Sequence, residues 1–379
     1  MAAYDWPDTR IFVPQTSELR VIDNTQRSLE SPLSGYVQTS SMPGARWGWS
    51  MDFGAQETDD RAQLEAYLLR LSGRQHRARL YDIKRPRPAG NIVPSGVTLA
   101  ASAAQFASSL QLAGCRGSNA VLGGSFEVDS NADGLADGWL RFTGGSVGSL
   151  GASLSTTAVA HGTYSQSLIA SALGATSSDR NGIQQNGVPV AHLAGQTITL
   201  AASMAATAST QLLLYVNWQN AGGSTIGGAD LFASAAATGG VQALSVTGAC
   251  PAAAVSANVY VYQHSGSGGA VTLLVDAVRL VAGSSSASYP GPATLDAGDW
   301  LGLATGQLVR VVADATATDA GAMTVEVRHI LRTAASSGSA VVLDKPTALY
   351  VRTEAGLSLP RQPGRVQPPL SVEFVEAFA

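Results

Sequence analysis

The apolar residues of this chain recur mostly with a period of two, in short runs broken by glycine. That rhythm constrains the fold more than any single motif. Trp47, Trp49, Met51 and Phe53 alternate with small or polar residues, the pattern of a half-buried strand. The same alternation marks Leu212 to Gln219, Asn258 to His264, Met323 to Leu331 and Leu370 to Phe378. With 41 glycines and only 13% charged residues, the composition suits short strands joined by turns. One stretch has helical spacing instead. Thr58 is a candidate cap, Asp59 and Asp60 sit in the electropositive first turn, and Leu64, Leu68 and Leu71 follow before Gly73. The expected fold is mainly β, with one helix over 58–72.

At 379 residues the chain is long enough for two or three domains. Its net charge of −4 argues against nucleic-acid binding, and no apolar run approaches the length of a membrane span. No secretory signal is visible at the N-terminus. Cys115 and Cys250 are too few for a disulfide framework and read as free thiols, with a bridge between them left open. The most basic stretch holds Arg77, Arg79, Lys84, Arg85 and Arg87. It reads as the solvated side of a strand or as an interface with an acidic neighbour.

Composition shifts sharply in the middle. Residues 121–282 contain three arginines, no lysine and seven acidic residues. This divides the chain into a first host segment (1–120), an inserted module (121–282), a linker rich in serine, glycine and proline (283–292) and a second host segment (293–379). The module opens on Gly124-Ser-Phe-Glu-Val-Asp-Ser-Asn-Ala-Asp-Gly-Leu-Ala-Asp-Gly-Trp139. Glu127, Asp129, Asn131, Asp133 and Asp137 crowd this stretch, and Gly134 and Gly138 let its backbone fold back. Alternating oxygen-bearing side chains with a turn glycine suit calcium, although Leu140 stands where an EF-hand would need its glutamate. An acidic surface loop is the plainer reading.

The module's ends resemble those of the jelly-roll carbohydrate-binding modules. These often open on a small-Ser-Phe-Glu strand followed by Gly-Trp, and close on an aliphatic-Asp-aliphatic strand, here Leu273 to Leu280 around Asp276. The resemblance implies a structural calcium held by Glu127 and Asp276, with Asp129, Asn131, Asp133 and Asp137 joining that site or forming a second. Alternation supplies a candidate sugar-binding face. Tyr215, Asn217 and Gln219 share one side of their strand, and Tyr260, Tyr262 and His264 one side of theirs. Tyrosine rings can cover the apolar face of a pyranose while amides meet its hydroxyls. Trp218, on the opposite side, is expected in the core.

The host segments also carry a resemblance. The helix and basic strand over 58–87, Gly298-Asp-Trp-Leu-Gly-Leu, Gly306-Gln-Leu-Val-Arg-Val, Asp344-Lys-Pro-Thr-Ala-Leu-Tyr-Val-Arg and Phe374-Val-Glu-Ala-Phe378 look like distal-tail or minor-tail proteins of long-tailed bacteriophages. The resemblance implies a homo-oligomeric ring, commonly a hexamer, placed in the virion between the tail tube and the other tip proteins. The inserted module would face a host cell-surface glycan. A free carbohydrate-binding protein, or an accessory module of a glycan-active enzyme, is the alternative. Catalysis is not expected. The five histidines show no metal spacing, no nucleophile elbow or phosphate loop is present, and Glu127 and Asp276 are better read as structural than as a glycosidase pair.

Overall fold

The computed structural model describes residues 2–22, 26–30, 37–41, 45–207, 210–284, 289–354 and 358–377, with side chains described outside 26–30 and 37–41. The strand expected over Leu370 to Phe378 runs past these residues at Phe378. Among the described residues the fold is mainly β with one α-helix, Thr58–Arg70. Thr58 starts that helix rather than capping it. Glu57 holds the cap position without a side-chain bond, and the Thr58 hydroxyl donates to the Arg365 carbonyl instead.

The chain is nested. An outer six-stranded sheet runs Ala3–Asp5, Arg77–Leu80, Ala348–Arg352, Leu370–Glu376, Arg46–Phe53, Thr16–Ile22, so both ends of the chain contribute to it. Its inner face buries Trp47, Trp49, Met51 and Phe53 together with Leu370, Val372 and Phe374. The helix lays Leu64, Leu68 and Leu71 on that core. A second six-stranded sheet runs Val341–Val342, Trp300–Leu303, Leu308–Val311, Met323–Arg328, Ser109–Ala113, Thr98–Leu99, and has its own core. The split host is thus built of two sheets, each with a core cluster, and the second sheet lends Trp300 and Leu308 to the core of the first.

Between Ser109–Ala113 and its neighbour Met323–Arg328 the chain leaves to build a β-sandwich of two five-stranded sheets. Both sheets contribute to one core that runs from Ala120 to Leu280. The ends of this segment meet. The Ala120 amide donates to the Leu280 carbonyl at 2.9 Å, and Asn119 bonds both Val278 and Leu280. The Ser125-Phe-Glu-Val stretch is irregular and not the expected strand. Phe126 takes a left-handed backbone (φ 55°), which turns its ring into the core against Trp139, 5.4 Å away.

Three arginines of the basic stretch pair with acidic residues of the same chain, and only Arg85 does so with a buried partner. Arg79 pairs with Asp5 (3.1 Å), Arg85 with the buried Asp299 (2.9 Å) and Arg87 with Asp344 (3.0 Å). Cys115 and Cys250 are both buried free thiols.

Candidate functional site

One sheet of the sandwich is ordered Leu140–Gly144, Arg180–Pro189, Ser256–His264, Gln211–Gln219, Leu231–Ala236, and every neighbouring pair is antiparallel. Alternation sends Leu212, Leu214, Val216, Trp218, Val259 and Val261 into the core, and all are fully buried. The residues between them face outward. Tyr215, Asn217, Gln219, Tyr260, Tyr262 and His264, singled out from sequence, therefore share the open face. The register aligns Tyr215 with Tyr260 and Asn217 with Asn258.

The rest of the face comes from neighbours that sequence alternation did not reveal. Leu140, Gln184, Tyr260, Tyr215 and Phe232 form one row across the five strands. Phe142, Gly182, Tyr262, Leu213 and Ser234 form the next. Phe142 lies 4.9 Å from the Tyr260 ring and 5.3 Å from the Tyr262 ring, and Tyr215 lies 5.6 Å from Tyr260. Gly182 makes this closeness sterically feasible: a Cβ there would fall 2.3 Å from Cβ of Tyr262. Between Arg180 and Gln185 only Ile183 is apolar, so no alternation marked Arg180 and Gln184 as surface residues. Phe232 sits among alanines and a serine, a weak strand signal, yet its ring is 65% exposed at the sheet edge.

The polar groups are held in place. Asp230 accepts from the Tyr215 hydroxyl (2.5 Å) and the Asn217 amide (3.1 Å). Burial and this carboxylate push the Tyr215 phenol up to about 12. Asn258 accepts from the Gly187 amide, and Gln219 from the Ser256 hydroxyl. Tyr262 is only 7% exposed beneath Phe142 and Arg180, so it forms the floor of the face while Tyr260 and Tyr215 stay accessible. Burial, with Arg180 close by, lowers the His264 pKa, which keeps that ring neutral at pH 7.

The residues expected to hold calcium fall into two groups. Glu127 accepts from the backbone amides of Thr163 and Tyr164, and Asp276 from those of Ala160, His161 and Ala277. Both carboxylates thus fasten the same turn, residues 160–164. Burial raises the Asp276 pKa, those amides oppose the rise, and the charge of Glu127 adds to it. In the acidic loop, Asp129 Oδ2 accepts from the Gly134 amide, Asn131 from Asp133, and Asp137 from Ser130. Asp129 Oδ1 is buried without a hydrogen-bond partner, so the loop retains an unsatisfied anionic oxygen that a cation would fit. Among the described residues, no group of three or more His, Cys, Asp or Glu side chains is arranged to hold a metal. A cation there would also need Asn131 and backbone carbonyls.

No protein-family model matches this sequence, and neither does any curated protein sequence. Solved structures do match over less than half of the chain. The enzymatically active domain of bacteriophage CBA120 tailspike protein 4 is 15% identical over 43% of this chain and 21% of its own, with a TM-score of 0.33. The C-terminal family 22 carbohydrate-binding module of Clostridium thermocellum Xyn10B is 15% identical over 43% of this chain and 94% of its own, at 0.29. TmCBM61, in complex with β-1,4-galactotriose, is 11% identical over 44% and 99%, at 0.30. Similarity this low assigns no ligand to the open face, which must be judged on its own residues.

Proposed function

We propose that the sandwich is a glycan-binding module carried by a structural protein of a phage tail tip. The observation that carries the glycan reading is the aromatic row on the open face. Tyr260 and Tyr215 are accessible, Phe232 extends the row to the edge, and Asn217, Asn258, Gln219 and Gln184 border it. Rings satisfy the C–H faces of a sugar and amides its hydroxyls, and a shallow sheet face admits an extended chain. Asp230 is engaged by Tyr215 and Asn217, which suits orienting those side chains better than attacking a glycosidic bond. Affinity electrophoresis of the whole chain in gels containing soluble polysaccharides tests this. Retardation that Tyr260→Ala abolishes supports it. Migration unaffected by every polysaccharide counts against it.

The tail-tip role rests on the resemblance of the host segments. Their nested sheets add support, because a module whose two ends meet can be displayed without disturbing the sheet that bears it. In this reading the protein forms a ring, a hexamer in the class it resembles, between tube and tip proteins in the virion. Light scattering and electron microscopy of the purified protein and of tails would check it. A strict monomer absent from virions would favour the free carbohydrate-binding protein instead.

Calcium enters this reading at the acidic loop, through Asp129 with Asn131, Asp133 and Asp137. It would steady the module's entry, away from the open face.

A further inference from the structure

The open face is electrically lopsided. At one end, Arg180 lies in register with His264 and Gly144, one row beyond Phe142 and Tyr262. At the other end, Asp230 holds Tyr215 and Asn217. Asn217 lies six positions along its strand from Gln211, in the Arg180 row, so the two charges mark opposite ends of a face about 20 Å long.

Arg180 is half-buried, with its guanidinium carbon 5.4 Å from the Tyr262 ring centroid and 5.9 Å from that of Phe142. Its Nε donates to the Ser177 carbonyl at 3.2 Å, and no carboxylate among the described residues pairs with it. The adjacent Asp179 is buried and already accepts from the Ser146 and Thr176 amides and the Thr176 hydroxyl. A guanidinium braced by two rings and one backbone bond has lost little further freedom to spend on a ligand. Its planar fork matches a carboxylate with two parallel hydrogen bonds. His264 is neutral at pH 7, so Arg180 supplies the positive charge at this end.

We infer that the face selects a glycan bearing a carboxylate, with a uronic-acid-type residue seated over Arg180 and neutral sugars along Tyr260, Tyr215 and Phe232. Asp230 would repel a second carboxylate at the far end, which gives the bound chain a direction. The inference rests on the glycan reading above and names the class of sugar that reading leaves open.

The test uses the full chain and an immobilised panel of oligouronates (galacturonate, mannuronate and glucuronate-containing) beside neutral gluco-, galacto- and manno-oligosaccharides of matched length. Preferential retention of an oligouronate is expected. Arg180→Gln should weaken it at least about tenfold, as for loss of a charge-assisted bond, and added salt should weaken it as well. Arg180→Lys should recover only part, because lysine keeps the charge and loses the fork. Neutral sugars bound by both wild type and Arg180→Gln with equal strength, and lost in Tyr260→Ala, would overturn this inference and leave the glycan reading standing. No retention of any sugar by the wild type would overturn both. Circular dichroism of the variants separates lost binding from lost fold.

Discussion

Glu376 and Arg332 form an ion pair of 2.6 Å that ties the last strand of the outer sheet to a loop of the second sheet. Glu376 is 1% exposed, and its other oxygen accepts from Arg332 at 3.2 Å and from the Trp47 amide at 3.2 Å. Trp47 also donates its indole N–H to the Leu308 carbonyl and packs edge-on against Trp300, 4.8 Å away. The two host sheets are therefore joined by a buried polar link set beside aromatic packing. Removing one partner of a buried pair leaves the other charge stranded, at a cost of about 3–5 kcal/mol. Glu376→Gln should lower the unfolding free energy of the host by that order, read as a lower urea midpoint. A double change, Glu376→Leu with Arg332→Met, should recover much of the loss. An unchanged midpoint in Glu376→Gln would show that the link is dispensable.

The open face and the core beneath it should respond differently to the same kind of change. Tyr260→Ala removes an accessible ring and should abolish glycan retention with little effect on folding. Trp218 is fully buried two residues along from Val216 and donates to the Ala229 carbonyl. Trp218→Ala should destabilise the sandwich by about 3–5 kcal/mol. Binding assays paired with thermal melts check both. Equal losses of stability in the two variants would mean that Tyr260 is structural.

Much of this site was legible in the sequence because a strand's period of two sorts side chains without knowledge of its neighbours. Tyr215, Asn217, Tyr260 and Tyr262 could be placed on one face from two strands taken separately. What no period reveals is which strands lie side by side. Phe142 joins the face only because Leu140–Gly144 pairs with Arg180–Pro189, which pairs in turn with Ser256–His264. The same limit hid the division of the host. Ser109–Ala113 and Met323–Arg328 are partners across the whole sandwich, and their sheet has a core of its own while lending Trp300 and Leu308 to that of Trp47 and Phe374. The irregular path of Phe126 was also hidden, since its left-handed backbone is set by packing against Trp139 and not by local preference.

The sandwich should fold alone. Its core is contributed by residues between Ala120 and Leu280, and its ends are joined by the Ala120 to Leu280 bond and by Asn119. A fragment spanning 118–284 should give a β-type circular dichroism spectrum and a cooperative melt. Some contact with the rest of the chain would be lost, because Gly123 donates to the Asp319 carbonyl and the His161 ring packs 4.5 Å from that of Tyr289. The fragment should therefore melt somewhat below the sandwich transition of the whole chain. A fragment without a cooperative transition would show that the host is needed to complete its core.

Calcium can be separated from ordinary carboxylate bonding by comparing two aspartates and a glutamate. Asp129 Oδ1 is buried and unpartnered in the acidic loop, while its Oδ2 accepts from the Gly134 amide, so without a cation one carboxylate oxygen goes unmatched. Glu127 and Asp276, by contrast, are already matched by the amides of the 160–164 turn. A cation that binds only the folded state stabilises it by about 2.7 kcal/mol at a hundredfold excess over its dissociation constant. Chelator should lower the sandwich melt and leave the host transition in place. Asp129→Asn should erase that response, because it removes the charge that draws the ion. Glu127→Gln and Asp276→Asn should lower the melt by weakening the turn, yet both should still respond to chelator. Calorimetric melts of the four proteins, with and without calcium, decide between these assignments. A chelator response lost in Glu127→Gln and kept in Asp129→Asn would move the ion to the paired ends of the module. No response in the wild type would leave the acidic stretch a solvated loop whose aspartates serve only its own turns.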